Sequence, residues 1–426
     1  MLALTFSASK AEAQIDTAFW FAAPWVTPDH AGNTPIALRI STFNAPTTVR
    51  VYQPAGGYDS TFVVPANSLN SHFLTPIVNT LESKPANTVL NYGIKIEADT
   101  LITVVYEAVT IVNNPETYSL KGTNGLGMEF VTPFQTTWRN GAYPPTQPKS
   151  MICIVATEDN TTVWITPKAA VVGHPANVTY SIVLNKGQVY TVENITQLTN
   201  IAGNNLSGSI VVSNKPIAVT VSDDSVWNAA GGGCRDLMGD QLVPVDVIGT
   251  EYIVNKGNMN VASTEGMYIV ATENFTTVTV INASGTTVQL LNRGDTWSYI
   301  IVDPLSYVQS DKPIYLLQAS GFGCELGEAI LPPINCAGSG QVSFNRSNSQ
   351  TFILNVLCPT TAINDFLMDG NPAMVPGSAF NLVPGTGGFW SGAQITYTTA
   401  QIPAGSSPFL ENTSDFFALG VINGGS

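Results

Sequence analysis

Charge is scarce in this chain of 426 residues: Asp, Glu, Lys and Arg make up 11% of it. The 16 Lys and Arg residues form no cluster, and the formal net charge is −14. That excludes the basic face that a nucleic-acid or anionic-membrane partner would require. Histidine is rarer still. His30, His72 and His174 stand alone, without the His-x-x-x-His or Cys-x-x-Cys spacing that brings ligands to one metal. No Gly-x-Ser-x-Gly elbow and no P-loop occurs; Gly231-Gly232-Gly233 runs into Cys234-Arg235-Asp236, not into a phosphate cradle. No stretch reaches the ~18 apolar residues of a membrane-spanning helix. No window of a dozen residues carries a helical apolar stripe either.

What is present is a repeat. Ile154-Val155-Ala156-Thr157-Glu158-Asp159-Asn160-Thr161-Thr162-Val163-Trp164-Ile165 recurs 115 positions on as Ile269-Val270-Ala271-Thr272-Glu273-Asn274-Phe275-Thr276-Thr277-Val278-Thr279-Val280. Further matches follow in the same order. Leu184-Asn185-Lys186-Gly187 answers Leu291-Asn292-Arg293-Gly294, Ser213-Asn214-Lys215-Pro216-Ile217 answers Ser310-Asp311-Lys312-Pro313-Ile314, and Gly233-Cys234 answers Gly323-Cys324. The spacing shrinks only between matches, as surface loops tolerate and packed strands do not. A weaker copy lies upstream: Thr47-Thr48-Val49 falls under Thr161-Thr162-Val163, Glu97 to Leu101 under Ser213 to Ile217, and Gly127 to Val131 under Gly249 to Ile253.

The matched segments are β-branched and aromatic, and they are separated by turn residues; Gly 36 and Pro 27 suit many turns. Ile210 to Val212 and Ile217 to Val221 bracket Asn-Lys-Pro and read as a hairpin. Leu184 to Tyr190 reads the same way around Asn-Lys-Gly. The expected fold is all-β, with tandem β-sandwich-like repeat units; a propeller-like ring of β blades is the alternative. The expected organisation is a signal-peptide remnant at 1–13, a divergent first unit at 14–150, a second at 151–262, a third at 263–345, and a C-terminal β unit at 346–426. The leader reading rests on the apolar run Met1 to Ala8 and on Ala11-Glu12-Ala13 before Gln14, a small-x-small cleavage pattern.

The five cysteines are Cys153, Cys234, Cys324, Cys336 and Cys358. Cys324 and Cys336 are the best local pair in an exported protein, with separate thiols as the alternative. Cys153 lies in an apolar strand and reads as core. The one acidic concentration is Asp223-Asp224 with Asp236 and Asp240. It reads as a solvated loop, or else as a Ca²⁺ site bracing one; no Asp-x-Asp-x-Asp-Gly pattern is present. Glu158 and Glu273 recur by duplication in hairpin turns. A turn role explains them more simply than the paired carboxylates of a glycosidase. Phe19-Trp20-Phe21 and Trp25 read as a first strand tucked into a core, in preference to a sugar-stacking platform. Phe389-Trp390 reads as a loop anchor or an exposed contact. Asn-x-Ser/Thr sequons stand at Asn160, Asn177, Asn194, Asn205, Asn274, Asn282, Asn345 and Asn412. On residues alone, we assign no catalytic, cofactor-binding or metal-ligating residue.

Gly208-Ser209-Ile210-Val211-Val212-Ser213-Asn214-Lys215-Pro216-Ile217-Ala218-Val219 resembles the signature stretch of the IgGFc-binding protein N-terminal domain family. So do Gly233-Cys234-Arg235-Asp236-Leu237, Gln241-Leu242-Val243-Pro244 and Gly249-Thr250-Glu251-Tyr252. The likeness runs from about Ile40 to Pro333. Gly321-Phe322-Gly323-Cys324-Glu325-Leu326 and Leu419 to Gly424 resemble large secreted surface proteins of Bacteroidetes-type bacteria. The resemblance implies an exported, non-enzymatic binding or adhesion module at the cell surface. Its expected partner is an extracellular glycan, mucin or protein, with no nucleic acid and no membrane insertion. A structural spacer of a surface fibre and a polysaccharide-acting hydrolase are the alternatives.

Overall fold

Runs of β-branched and aromatic residues between Gly, Pro and Asn turns become strands throughout. Strand accounts for 56% of the chain and helix for 6%. The structure is a computed structural model, and it describes residues 14–27, 35–108, 116–142, 146–195, 204–261, 264–334 and 338–424. The expected leader at 1–13, His30 and Cys336 lie outside those residues. Among the described residues no helix is long and apolar enough to cross a membrane.

Three units follow one another. The first contains Ile15–Phe21 (β1), Ile36–Thr42 (β2), Thr47–Tyr52 (β3), Asp59–Val64 (β4), Leu69–Phe73 (β5), Ile94–Ala108 (β6) and Glu116–Ser119 (β7). The second contains Leu126–Val131 (β8), Arg139–Asn140 (β9), Ser150–Ala156 (β10), Thr161–Thr166 (β11), Tyr180–Leu184 (β12), Val189–Glu193 (β13), Ile210–Trp227 (β14) and Arg235–Gln241 (β15). The third contains Gly249–Asn255 (β16), Asn258–Met259 (β17), Gly266–Ala271 (β18), Thr276–Asn282 (β19), Gly285–Leu291 (β20), Thr296–Ile300 (β21), Leu305–Gly323 (β22) and Glu325–Ile330 (β23). Strand pairing thus joins Leu126–Val131 to the second unit and Gly249–Asn255 to the third, ahead of positions 151 and 263.

The strand order is the same in all three: β4-β3-β6-β2-β5, β12-β11-β14-β10-β13 and β20-β19-β22-β18-β21. The centre is one long strand. Residues 210–213 of β14 pair with β11, and residues 210–212 also pair with β8. Its later residues pair with β10 on one edge and with β15 on the other. One strand therefore serves both halves of a curled sandwich, and the apolar core closes between the halves. This order is not that of propeller blades.

The Asn-Lys-Pro segment corrects an expectation. It is not a hairpin turn; it is a bend inside continuous β14. The ladder to β8 skips from Val212 to Ile217, and the equivalent skips occur between β1 and β6 and between β16 and β22. Pro216 lacks an N–H, and the bend sets it off the ladder, where none is needed. Leu184 to Tyr190 is a turn, but β12 and β13 pair with β11 and β10, so it crosses between the sandwich halves.

Burial follows the pairing. In β11 the pattern alternates, with Val163 and Ile165 fully buried. β10 is buried on both faces. Ile152 and Ile154 enter the core of their own unit. Met151, Cys153 and Val155 pack against Trp20, Ala22 and Trp25 of the first unit. Each such side chain contributes roughly 1.5–3 kcal/mol on burial. Truncating Ile154 to alanine should cost about 2–5 kcal/mol.

The units also share backbone. Residues 87–90 of the first unit bond to the edge of β13: the Asn87 amide donates to Thr191 O (3.0 Å), and Leu90 and Val189 exchange two bonds of 3.0 and 2.8 Å. The Gly93 amide donates to Gly187 O at 3.1 Å. A Cβ on Gly93 would lie 2.7 Å from that carbonyl oxygen, so the approach requires glycine. Gly208 repeats the contact on Gly294 of the third unit. After residue 338 the chain forms two smaller sheets of different order around Phe352, Leu354, Phe366 and Leu410.

Candidate functional site

The duplicated phrase braces the bend of the long strand. Thr157 Oγ1 donates to Pro216 O and Thr272 Oγ1 to Pro313 O, both at 2.6 Å. The Thr162 amide donates to Asn214 Oδ1 and the Thr277 amide to Asp311 Oδ1, both at 2.8 Å. Lys215 Nζ donates to Asp159 O at 2.6 Å, and Lys312 Nζ to Asn274 O at 2.5 Å. Asn160 and Phe275 hold φ of 54° and 58° in the turn. The repeated residues thus satisfy buried and turn backbone groups, the obligation any folded chain must meet. Glu158 and Glu273 are exposed in these turns, each in its own unit. The turns link β10 to β11 and β18 to β19 across the sandwich halves, so they are not hairpin turns.

The four aspartates are buried, not solvated. Asp223 accepts from Gln135 Nε2 (2.8 Å), Asn140 Nδ2 (2.8 Å) and Ser150 Oγ (2.7 Å). Asp224 Oδ2 accepts from the Thr27 amide at 2.8 Å. Asp240 accepts from Lys121 Nζ (2.8 Å) and from the Ile330 amide (3.0 Å). Asp236 lies against Glu325 and the Leu326 amide, and burial pushes its carboxyl well above the usual range. The acidic concentration is therefore distributed among separate partners. Sequence reasoning missed Lys121, Glu116 and Glu328, which join these aspartates only across unit boundaries.

The cysteine pairing also differs from the expectation. Cys324 bonds to Cys234, not to Cys336, with Cα atoms 5.6 Å apart. The two cysteines tip the equivalent hairpins β14–β15 and β22–β23, which pack side by side. Neighbourhood in space, not in sequence, decides the pair. Gly232, at φ 128°, clears room for the Cys324 side chain. Cys234, Cys324 and Glu325 cluster, but both sulfurs are consumed by the bond. Cys153 and Cys358 are buried thiols, each pushed up to about 12 by burial.

The remaining candidates are structural. Phe19, Trp20 and Phe21 are buried, and Trp25 Nε1 donates to Glu193 at 2.9 Å. His72 stacks on Phe62 and meets Tyr58 Oη at 2.6 Å, with burial lowering its pKa. His174 stacks on Tyr180. The sequon residues Asn194, Asn205, Asn282 and Asn412 are buried and closed to glycans; Asn160, Asn177 and Asn274 are exposed. Phe389 is 76% exposed beside Gly387 and Gly388, whereas Trp390 is partly buried against Ile253, Leu305, Tyr307 and Val383.

One surface feature repeats. β4, β12 and β20 are the free outer strands of their units. Val63, Val183 and Leu290 are 64%, 58% and 59% exposed on them. Each stands opposite the equivalent threonine: Thr48, Thr162 and Thr277. Trp164 adds a half-exposed ring on the outer face of the second unit, and Val288 adds to the third. β20 carries neither charge nor proline, the usual guards of an edge.

A fold of three equivalent curled β units, braced by its repeats and open along its outer strands, belongs to a class of repeated β modules. Residues 116–419 match the family described as IgGFc binding protein, and the chain belongs to that family. No curated protein matches it significantly. A solved structure described as a Ca²⁺-stabilized adhesin that helps an Antarctic bacterium reach out and bind ice is 12% identical. The alignment covers 96% of this chain and 98% of that one, but the TM-score of 0.13 is too low to bear on the fold.

Proposed function

We propose that this chain is an exported, non-enzymatic module that binds a protein ligand along the free outer strands of its units. The observation that carries the reading is the exposed apolar residue at one register position in three units, Val63, Val183 and Leu290. An unguarded edge offers main-chain hydrogen bonds, and its exposed side chains offer selectivity. Three outer strands on one scaffold, two of them (β12 and β20) without charge or proline, favour avidity over single-site strength. Family membership and a disulfide support an extracellular setting. Immunoglobulin Fc is the first ligand to test, followed by mucin and host glycans.

The test is binding of the oxidised chain to immobilised Fc and mucin, compared with Val63→Lys, Val183→Lys and Leu290→Lys singly and together. The reading predicts a progressive loss, to about a hundredfold or more in the triple variant, with unchanged circular dichroism. Undiminished binding by the triple variant would overturn it.

A second reading has its own support. The backbone bonds and the disulfide between units favour a stiff spacer in a surface fibre. That reading predicts no ligand for the isolated chain.

A further inference from the structure

The three units meet at their last strands, β7, β15 and β23. One edge of β23 is bonded to β22. Carboxylates from the other two units line its outer edge. Ile330 donates to Asp240, while Asp236 lies against the backbone of Leu326 and Glu116 against that of Glu328, at alternate positions along the strand. An edge that another strand would cover is here covered by acids.

The charges at this junction do not balance. Lys121 neutralises Asp240, and both are buried. Arg235 stacks over Trp227. Asp223 is held by Gln135, Asn140 and Ser150. Glu116 Oε2, Asp236 Oδ2 and both carboxylate oxygens of Glu328 are buried with no hydrogen-bond partner. Around Glu328 stand Glu116 and Tyr118 from β7, Asp240 from β15, Asp223 from β14 and Tyr268 from β18. Glu325 from β23 faces Asp236. Lys121 pairs with Asp240, and among the described residues no ion pair reaches Glu116, Asp236 or Glu328.

We propose that the junction is a proton-operated latch: it is closed while Glu116, Asp236 and Glu328 are neutral, and loosened when they ionise. An ionised carboxylate in such a setting costs several kcal/mol unless it is paired. Burial first, then the neighbouring carboxylates, push Glu328 well above the usual carboxyl range. A folded pKa above the unfolded one gives stability that is complete below the ordinary carboxyl range. That stability is lost as pH rises through the folded value. The Cys234–Cys324 bond keeps β15 and β23 together, so β7 of the first unit is the strand loosened at the junction.

The test is amide hydrogen exchange in the oxidised full chain between pH 4.5 and 8.5, corrected for intrinsic exchange. The amides of β7 and of residues 326, 328 and 330 report the junction, and those of Thr351–Pro359 serve as reference. The latch predicts that junction opening rises with pH by up to about tenfold per unit for each proton released, while the reference stays flat. Glu328→Gln and Glu116→Gln, which keep shape and remove charge, should each flatten the rise. A flat wild-type profile, or a slope that persists in both variants, would overturn the proposal. So would a rise that added Ca²⁺ abolishes and EDTA restores, because the oxygens would then be cation ligands.

Discussion

Cys234 and Cys324 occupy the same position in successive units, 90 residues apart, and are bonded to each other. A duplicated hairpin tip has become its own partner. The bond ties β15 to β23 at the point where their carboxylates and amides interlock. It therefore fixes how two copies of one unit sit together, in addition to crosslinking the chain.

Loss of this bond should destabilise the pair of units. On chain-entropy grounds, closing a loop of this length contributes ~4–5 kcal/mol. Cys234→Ser with Cys324→Ser should lower the denaturant midpoint accordingly, whereas Cys336→Ser should leave this bond intact. Mass spectrometry of a non-reduced digest should recover the peptides of Cys234 and Cys324 joined.

Lys121 and Asp240 form a buried pair between the first two units. Lys121→Met strands a buried carboxylate and should cost roughly 3–5 kcal/mol. Adding Asp240→Asn removes that charge but keeps an acceptor for the Ile330 amide. The double variant should recover much of the loss in a urea titration.

The thiols of Cys153 and Cys358 are fully buried, and burial raises each to about 12. Neither should react with a thiolate-directed reagent at pH 8 in the native protein. Both should label once denaturant crosses the unfolding transition. Labelling that precedes the transition would show that these strands open locally.

The fold was legible where period and order carry it. The doubled phrase at Ile154 and Ile269 announced equivalent strands, and the register opposite Thr162 and Thr277 bears this out. Asn214-Lys215-Pro216 reads as a hairpin from sequence because hairpin and bend share the same local chemistry. What separates them is which distant strands pair on either side. The cysteine pairing and the fate of Asp236 and Asp240 were hidden for a related reason. Their partners Cys324, Leu326 and Ile330 belong to another unit, and packing between units leaves no local pattern. The buried acids also resembled an ordinary polar loop, because a carboxylate that caps strand amides has the same letters as a solvated one.

The repeated residues keep a shape, and the Thr162 and Thr277 amides test this most directly. Each donates to a side chain of the bend, Asn214 or Asp311, at 2.8 Å. Native-state hydrogen exchange should find both amides protected to a similar degree. Asn214→Ala should release Thr162 alone, and Asp311→Ala should release Thr277 alone, each by about one hydrogen bond, ~1 kcal/mol. If both amides exchange freely in the unaltered protein, or if neither substitution alters its own site, the two copies do not brace the same bend and the account is contradicted.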